Sequence, residues 1–511
     1  MNSKIKGIIV GVVVMVCLGA TLLLLKLTDP AKNTDSSSQK DNTSSIADEL
    51  LEDENVYPLT EIDKNSVSKI TFVNEHGELV IERTEKAPSA DGTAVWQLTN
   101  LDGVRQNKTF VNACVNICSG LKGREIVEEN ASDLSKYGLS EPKARITISS
   151  DNGPDRIFNI GIEIAQGGYY YLCEEGSNTV YTVLQQNVNY FMQSELYFTN
   201  SVLVDTPSDS AWPTIDRLTI KREDIDYDMV FVTVPEDEIP IGMSSNQAMI
   251  KPVYQFLNIT ASADVTHGIW GLTASEAVLL HPTDEDKEKY GLKEPFAKVI
   301  LDTDSDDYTL SIGNPVYALD DNGEETTTVS GYYCFLNAKD TDCIYIIPAT
   351  ECVWATVVPG DIILGMMTNN LFVDLDTITL QTTDKTVSVD VYAHEDENPD
   401  DSIDDEVFEV KIDGKTVETE LFQDWYVYWL ECPTDETYFT PLTGEEELYL
   451  TVTIKLENGK EQIVKFYTST NRRLIAELDG SVGYIIPTSY ADTLMENIQR
   501  VVDGESMITT Y

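Results

Sequence analysis

The chain has 511 residues, enough for about three domains, with 35 Lys plus Arg against 87 Asp plus Glu and a formal net charge of −52. A field of that sign repels phosphate backbones and excludes nucleic acid as a partner. Hydrophobic residues at 42%, with 25 Tyr and 14 Phe, supply real cores and exclude a disordered acidic tail.

Residues 7–25 carry no charge and lie between Lys6 and Lys26. As a helix they span about 28 Å, the depth of a bilayer's hydrocarbon core. A cleaved signal peptide has a shorter apolar region, usually about 7–15 residues, and a small-x-small cleavage site, which is not obvious after Leu25. Val16 stands before Cys17 where a lipidation site wants a small residue. The reading is an uncleaved, single-pass transmembrane anchor in residues 1–27, with the bilayer as a partner through 7–25. Lys4 and Lys6 face Lys26, Lys32 and Lys40, so the positive-inside count is nearly level. The short basic head reads as a cytoplasmic start, which places the bulk outside the cell. Residues 28–62, with Ser36, Ser37 and Ser38 and then Thr43, Ser44 and Ser45, suit a flexible stalk.

The rest repeats itself, in units at 63–203, 204–370 and 371–511. Val67, Ile70, Thr71 and Phe72 share one pattern with Ile215, Leu218, Thr219 and Ile220, and with Leu375, Ile378, Thr379 and Leu380. Apolar residues hold the first, fourth and sixth places and Thr the fifth, which suits an opening strand. An amphipathic helix is expected next. Phe110, Ala113, Cys114, Ile117, Cys118 and Leu121 share one helical face, and Val253, Phe256 and Leu257, then Leu421, Trp425 and Trp429, stand in comparable places.

Tyr137, Gly138, Leu139 and Pro142 then return as Tyr290, Gly291, Leu292 and Pro295. Helix-like residues ending in Lys136 and Lys289 precede each copy, and the Gly supplies the left-handed residue that closes a helix. A strand pair follows, its second strand expected to end at Gly161 or Gly313, and then a Tyr-rich hairpin containing Tyr169, Tyr170 and Tyr171 or Tyr332 and Tyr333. The third unit lacks the Tyr-Gly-Leu turn but ends with Tyr484 and a helix over about 489–501. The fold class expected is α+β: a transmembrane helix, then tandem repeats of antiparallel sheet with packed helices.

The two Tyr-Gly-Leu turns, the strands ending at Gly161 and Gly313 and the Tyr-rich hairpins resemble the bacterial domain of unknown function 4340 family over most of residues 63–367, extending weakly into the third unit. The resemblance implies an amino-terminal membrane anchor and an extracytoplasmic partner of ABC-type exporters, including systems linked to gliding motility. It implies no catalytic residues.

The residues themselves offer little chemistry. His76, His267, His281 and His394 form no metal-binding spacing and read as surface or loop residues. The acids at 302, 304, 306 and 307 imitate a calcium loop, but Asp307 stands where Gly is needed and Gly313 where Glu is needed. They read as an acidic turn, as do Asp151 and Glu457 at matching places. The acid-rich stretch 395–406 reads as a solvated loop. Ser140 and Lys143 superficially resemble a Ser-Lys acyl transferase but lie in a repeat turn without the accompanying Lys-Thr-Gly. Phosphate-loop, dinucleotide and Gly-x-Ser-x-Gly patterns are absent.

Cys114 and Cys118, four apart on a helix, pack as small apolar groups, whereas Cys334 and Cys343 flank a hairpin and could bridge. The Tyr clusters read as strand packing. No catalytic, cofactor-binding or metal residue is assigned, and no cofactor is expected. The leading reading is a non-enzymatic, membrane-anchored extracytoplasmic accessory protein assisting an ABC-type export system, with a permease and an ATPase as partners. The alternatives are an independent surface module binding wall polymer or peptide, and a surface hydrolase of unfamiliar kind built on paired acids.

Overall fold

The computed structural model describes residues 56–89, 92–208, 212–239, 245–395, 406–434 and 436–511. The apolar run 7–25, most of the 28–62 stretch and nearly all of the acid-rich stretch 395–406 lie outside them. Among the described residues no helix is long and apolar enough to cross a membrane. Residues Tyr57–Tyr511 form one compact unit.

Three large antiparallel sheets share one strand order. The opening strand, Val67–Asn74, Ile215–Arg222 or Leu375–Gln381, sits inside its sheet. On one side it pairs with Gly77–Arg83, Met229–Thr233 or Thr386–Glu395. On the other it pairs with Ala144–Ser150, Ala297–Thr303 or Leu448–Leu456. Three more strands continue outward in each: Arg156–Glu163, Tyr169–Glu174 and Val180–Leu184; Tyr308–Leu319, Glu325–Asn337 and Cys343–Pro348; Glu461–Thr468, Arg473–Leu478 and Ser481–Pro487. The first two sheets end on a further strand, Glu125–Glu128 or Glu276–Leu280. In the third, among the described residues, the single bridge between Thr437 and Tyr484 holds that place. A fourth, two-stranded sheet pairs Tyr57–Pro58 with Lys122–Gly123.

The shared sequence pattern now has a physical cause. Buried positions one and four of the opening strand are three residues apart, which a regular strand would point to opposite faces. The register shifts between Val67 and Lys69, between Ile215 and Arg217 and between Leu375 and Thr377. An extra residue there resets the face, so Val67 and Ile70 both reach the core.

The expected α+β class is overturned: the described chain is mainly antiparallel β-sheet, with few helices. Each of the three large sheets takes eight or nine strands, whereas the longest described helices are Lys108–Ser119, Thr419–Leu430 and Thr488–Asp503. The first buries Val111, Cys114, Val115 and Cys118 after Asn107 caps its start, and the second buries Trp425 and Trp429. In the middle unit the expected helix is missing from its place. Phe256 lies in the short strand Gln255–Phe256, with Val253 and Leu257 just outside it, and a shorter helix, Ile259–His267, follows. The Tyr-Gly-Leu turn follows only a three-residue turn of helix, Ser135–Tyr137, in the first copy and the helix Asp284–Lys289 in the second.

Gly138 and Gly291 are left-handed, at φ 67° and 71°, as the helix-closing role requires. Gly161 and Gly313 do not end their strands, which run on to Glu163 and Leu319. They are glycines because the turn lies directly on the strand: a Cβ at Gly161 would run into the Tyr137 carbonyl oxygen, and one at Gly313 into that of Tyr290. The turn's Tyr then lies against the hairpin's, Tyr137 on Tyr171 at 4.8 Å and Tyr290 on Tyr333 at 4.7 Å, with Lys136 and Lys289 over the turn rings.

Two main cores result. One lies under the first sheet, from Val67 to Phe198. The other is continuous beneath the second and third sheets and takes in the final helix through Val501. Leu280 packs against both.

Candidate functional site

The first and second sheets are joined by paired backbone and one two-point ion pair at the surface. Arg105 grips Asp205 with two bonds of 2.7 and 2.9 Å, and its N–H donates to the Asp340 carbonyl at 2.8 Å. Bridges between Val104 and Thr341, and between Val202 and Thr273, tie the same junction. Beside it opens a cleft of about 530 Å³. One wall is the start of the helix Lys108–Ser119 and the turn Glu195–Phe198, the other the strand Glu276–Leu280 of the second sheet.

Asn107 accepts from the N–H groups of Thr109 and Phe110 at 3.1 and 3.2 Å, which fixes Phe110 at the rim. Phe110 lies flat on Tyr197, with ring centroids 4.9 Å apart and planes 14° from parallel. Asn200, Ser275 and Glu276 add polar groups, and Glu276 is the one carboxylate among the described lining residues. Tyr345 reaches the cleft floor. Its hydroxyl is buried without a hydrogen-bond partner among the described residues, and burial pushes its pKa up. This arrangement can hold a chain that offers hydrogen-bonding groups and a flat apolar face.

A second, wider hollow of about 700 Å³ lies on the first sheet beside Asn74, Glu75, Lys143, Arg145 and Tyr170. Its cations are engaged: Lys143 stands over the Tyr170 ring at 5.5 Å, and Arg145 pairs with Glu175.

The residues singled out by sequence are scattered. His76 is exposed beside Glu75, His281 pairs with Asp342 at 2.8 Å, and His394 lies 3.8 Å from Glu409. His267 differs from the surface reading. It is half-buried between Trp212 and Trp270, and burial lowers its pKa. The acids after Asp302 form a turn in which Thr303 Oγ1 accepts from the Ser305 and Asp306 N–H groups, while Asp304 accepts from Thr214 N–H. Asp151 accepts from both terminal nitrogens of Arg83, which holds its carboxyl below the ordinary value. Among the described residues no three His, Cys, Asp or Glu are grouped to hold a metal.

The bridge considered between Cys334 and Cys343 is not formed: both are free thiols. Cys334 lies opposite Tyr345 in the hairpin and 3.8 Å, sulfur to sulfur, from Cys352. Sequence reasoning missed the stack of Phe110 on Tyr197. The one local signal was Asn107 as a helix cap, and nothing in the spacing of residues 110 and 197 announces that they meet.

No curated protein and no solved structure matches the chain. One family model does, over residues 96–229 and so under half the chain. The match runs from the edge strand Trp96–Leu98, through Asn107, Phe110 and Tyr197 of the cleft, to the start of Met229–Thr233 in the second sheet. Over residues 96–229 the chain matches the family model described as Domain of unknown function (DUF4340).

Proposed function

We propose that the chain is a membrane-attached, extracytoplasmic accessory protein that binds and assists an ABC-type export system. The uncharged run 7–25 between Lys6 and Lys26 supports the attachment, and the likeness to domain of unknown function 4340 proteins supports the exporter. The observation that carries the reading is the cleft between the first two sheets. It is an aromatic and polar recognition site of about 530 Å³ whose first wall falls inside the family-matched stretch. In this reading ATP chemistry belongs to a partner, and the sheets supply binding surface and reach.

Crosslinking in cells, followed by purification of the full chain and mass spectrometry, tests it. A permease and an ATPase are expected among the products, and paired Phe110→Ala and Tyr197→Ala substitutions are expected to reduce their yield about ten-fold. Recovery of the chain without either partner overturns the export role. The flat aromatic pair at the rim favours one alternative, a surface module that holds wall polymer or peptide. That reading predicts retention of the purified protein on isolated wall material with no membrane partner present.

A further inference from the structure

A separate cavity of about 320 Å³ lies at the far side of the second sheet, between the strand Gln247–Lys251 and the helix Ile259–His267. Its chemistry is unlike the rest of the molecule. Among its described lining residues there is no Asp, Glu, Lys or Arg, although such residues make up 24% of the chain. In their place Thr214, Asn246, Gln247 and Ser262 line it, and none of these side chains makes a hydrogen bond among the described residues. Ser262 is only 2% exposed, and its hydroxyl borders the cavity without a hydrogen bond among the described residues, an arrangement that a ligand would complete.

His267 connects this wall to an aromatic platform. It lines the cavity, its Nδ1 lies 2.7 Å from Thr266 Oγ1, and its ring packs on Trp212 at 5.5 Å. Trp212 in turn meets Trp270 edge to face at 5.6 Å. Although propped by both rings, Trp212 remains 42% exposed, and its neighbour Pro213 lines the cavity. A large indole held rigid and left in solvent beside unpaired amides and hydroxyls fits a ligand with one apolar face and many hydroxyls.

Other ligand classes fit less well. An anion gains no cation here and faces a chain of net charge −52. A cation finds no carboxylate in the described wall. A peptide adding as a strand finds no free edge on Gln247–Lys251, which is already paired with Met229–Thr233 on one side and Gln255–Phe256 on the other.

We propose that this cavity binds a neutral carbohydrate unit, a hexose or N-acetylhexosamine, whose apolar face lies on Trp212 and whose hydroxyls meet Thr214, Asn246, Gln247 and Ser262. The site does not depend on an export partner, so its test stands apart from the test of that reading. The purified full chain is titrated with glucose, maltotriose, N-acetylglucosamine and its trimer, with glucuronate as the charged control, followed by tryptophan fluorescence and ligand-observed NMR. Binding of at least one neutral sugar with quenching of the indole is expected. Trp212→Ala and Gln247→Ala should each weaken it about ten-fold while the protein still unfolds in urea as a folded chain. The proposal is overturned if no neutral sugar binds at about 10 mM, if glucuronate binds more tightly than the neutral sugars, or if both variants fold and bind like the parent.

Discussion

His267 shows how a single residue's setting alters its chemistry. Its imidazole is half-buried against two indoles, and desolvation lowers its pKa from the ordinary 6.5. The unfolded chain therefore takes up this proton more readily than the folded one. The stabilising contribution is complete above pH 6.5 and is lost as the pH falls from there through the lower folded value. His267→Gln should flatten the dependence of the unfolding midpoint on pH between about 7.5 and 5, as read by thermal melts across that range. A dependence identical to the parent's would contradict the assignment. The sequence shows His267 without a metal-binding neighbour and so suggests a loop or surface place. That it lies between Trp212 and Trp270 depends on a contact across 55 residues of chain, which local spacing does not encode. Cys334 carries the same lesson. Its hairpin neighbour Cys343 was visible by separation, but a hairpin's register decides which side chains face each other, and it places Tyr345 opposite Cys334.

Between elements, the decisive contact is the Tyr-Gly-Leu turn lying on its strand. Gly138 sits against Ile162, where a Cβ would come within 2.7 Å of Cγ2, and Gly161 sits against the backbone of Tyr137. Gly161→Ala should therefore lower stability by about 1–3 kcal/mol through overpacking, measured by urea denaturation, whereas Gly153→Ala in the hairpin turn, where a Cβ would meet only Ser150 Oγ at an ordinary 3.7 Å, should have a much smaller effect. The repeated glycines were legible in the sequence, but their role was not. A glycine that ends a strand and a glycine that admits a neighbouring backbone look alike until the neighbour is known. The opening strands were legible for the opposite reason, since their pattern of burial is written within six residues. The middle helix was misplaced because Val253, Phe256 and Leu257 fit helical spacing equally well. Tertiary packing settles the matter: Val253 lies against Gly483 of the third sheet.

For the whole molecule, three sequence repeats do not make three independent cores. The first sheet closes its own, while the second and third share one. Urea unfolding should accordingly proceed in two transitions, with Trp96 reporting the first core and Trp354, Trp425 and Trp429 the joint one. Single-tryptophan variants followed by fluorescence would check this. One coincident transition for all reporters would show that Leu280 and the Arg105–Asp205 junction couple the cores more strongly than their separate packing implies. Periodicity in the sequence gives the number of similar strand sets. Which of them fuse depends on side chains such as Val253 that cross from one set to the next.

The division of the cores also sets an order of assembly. The first core has all its buried residues once Phe198 has left the ribosome, whereas the joint core must wait for Val501, close to the end of the chain. Throughout that interval the second sheet is present, but the part of its core that the third sheet completes is not sealed. The molecule is therefore born with a finished leading portion followed by a long adhesive stretch, and it is during this delay that a chaperone holding extended chain would have the most to protect.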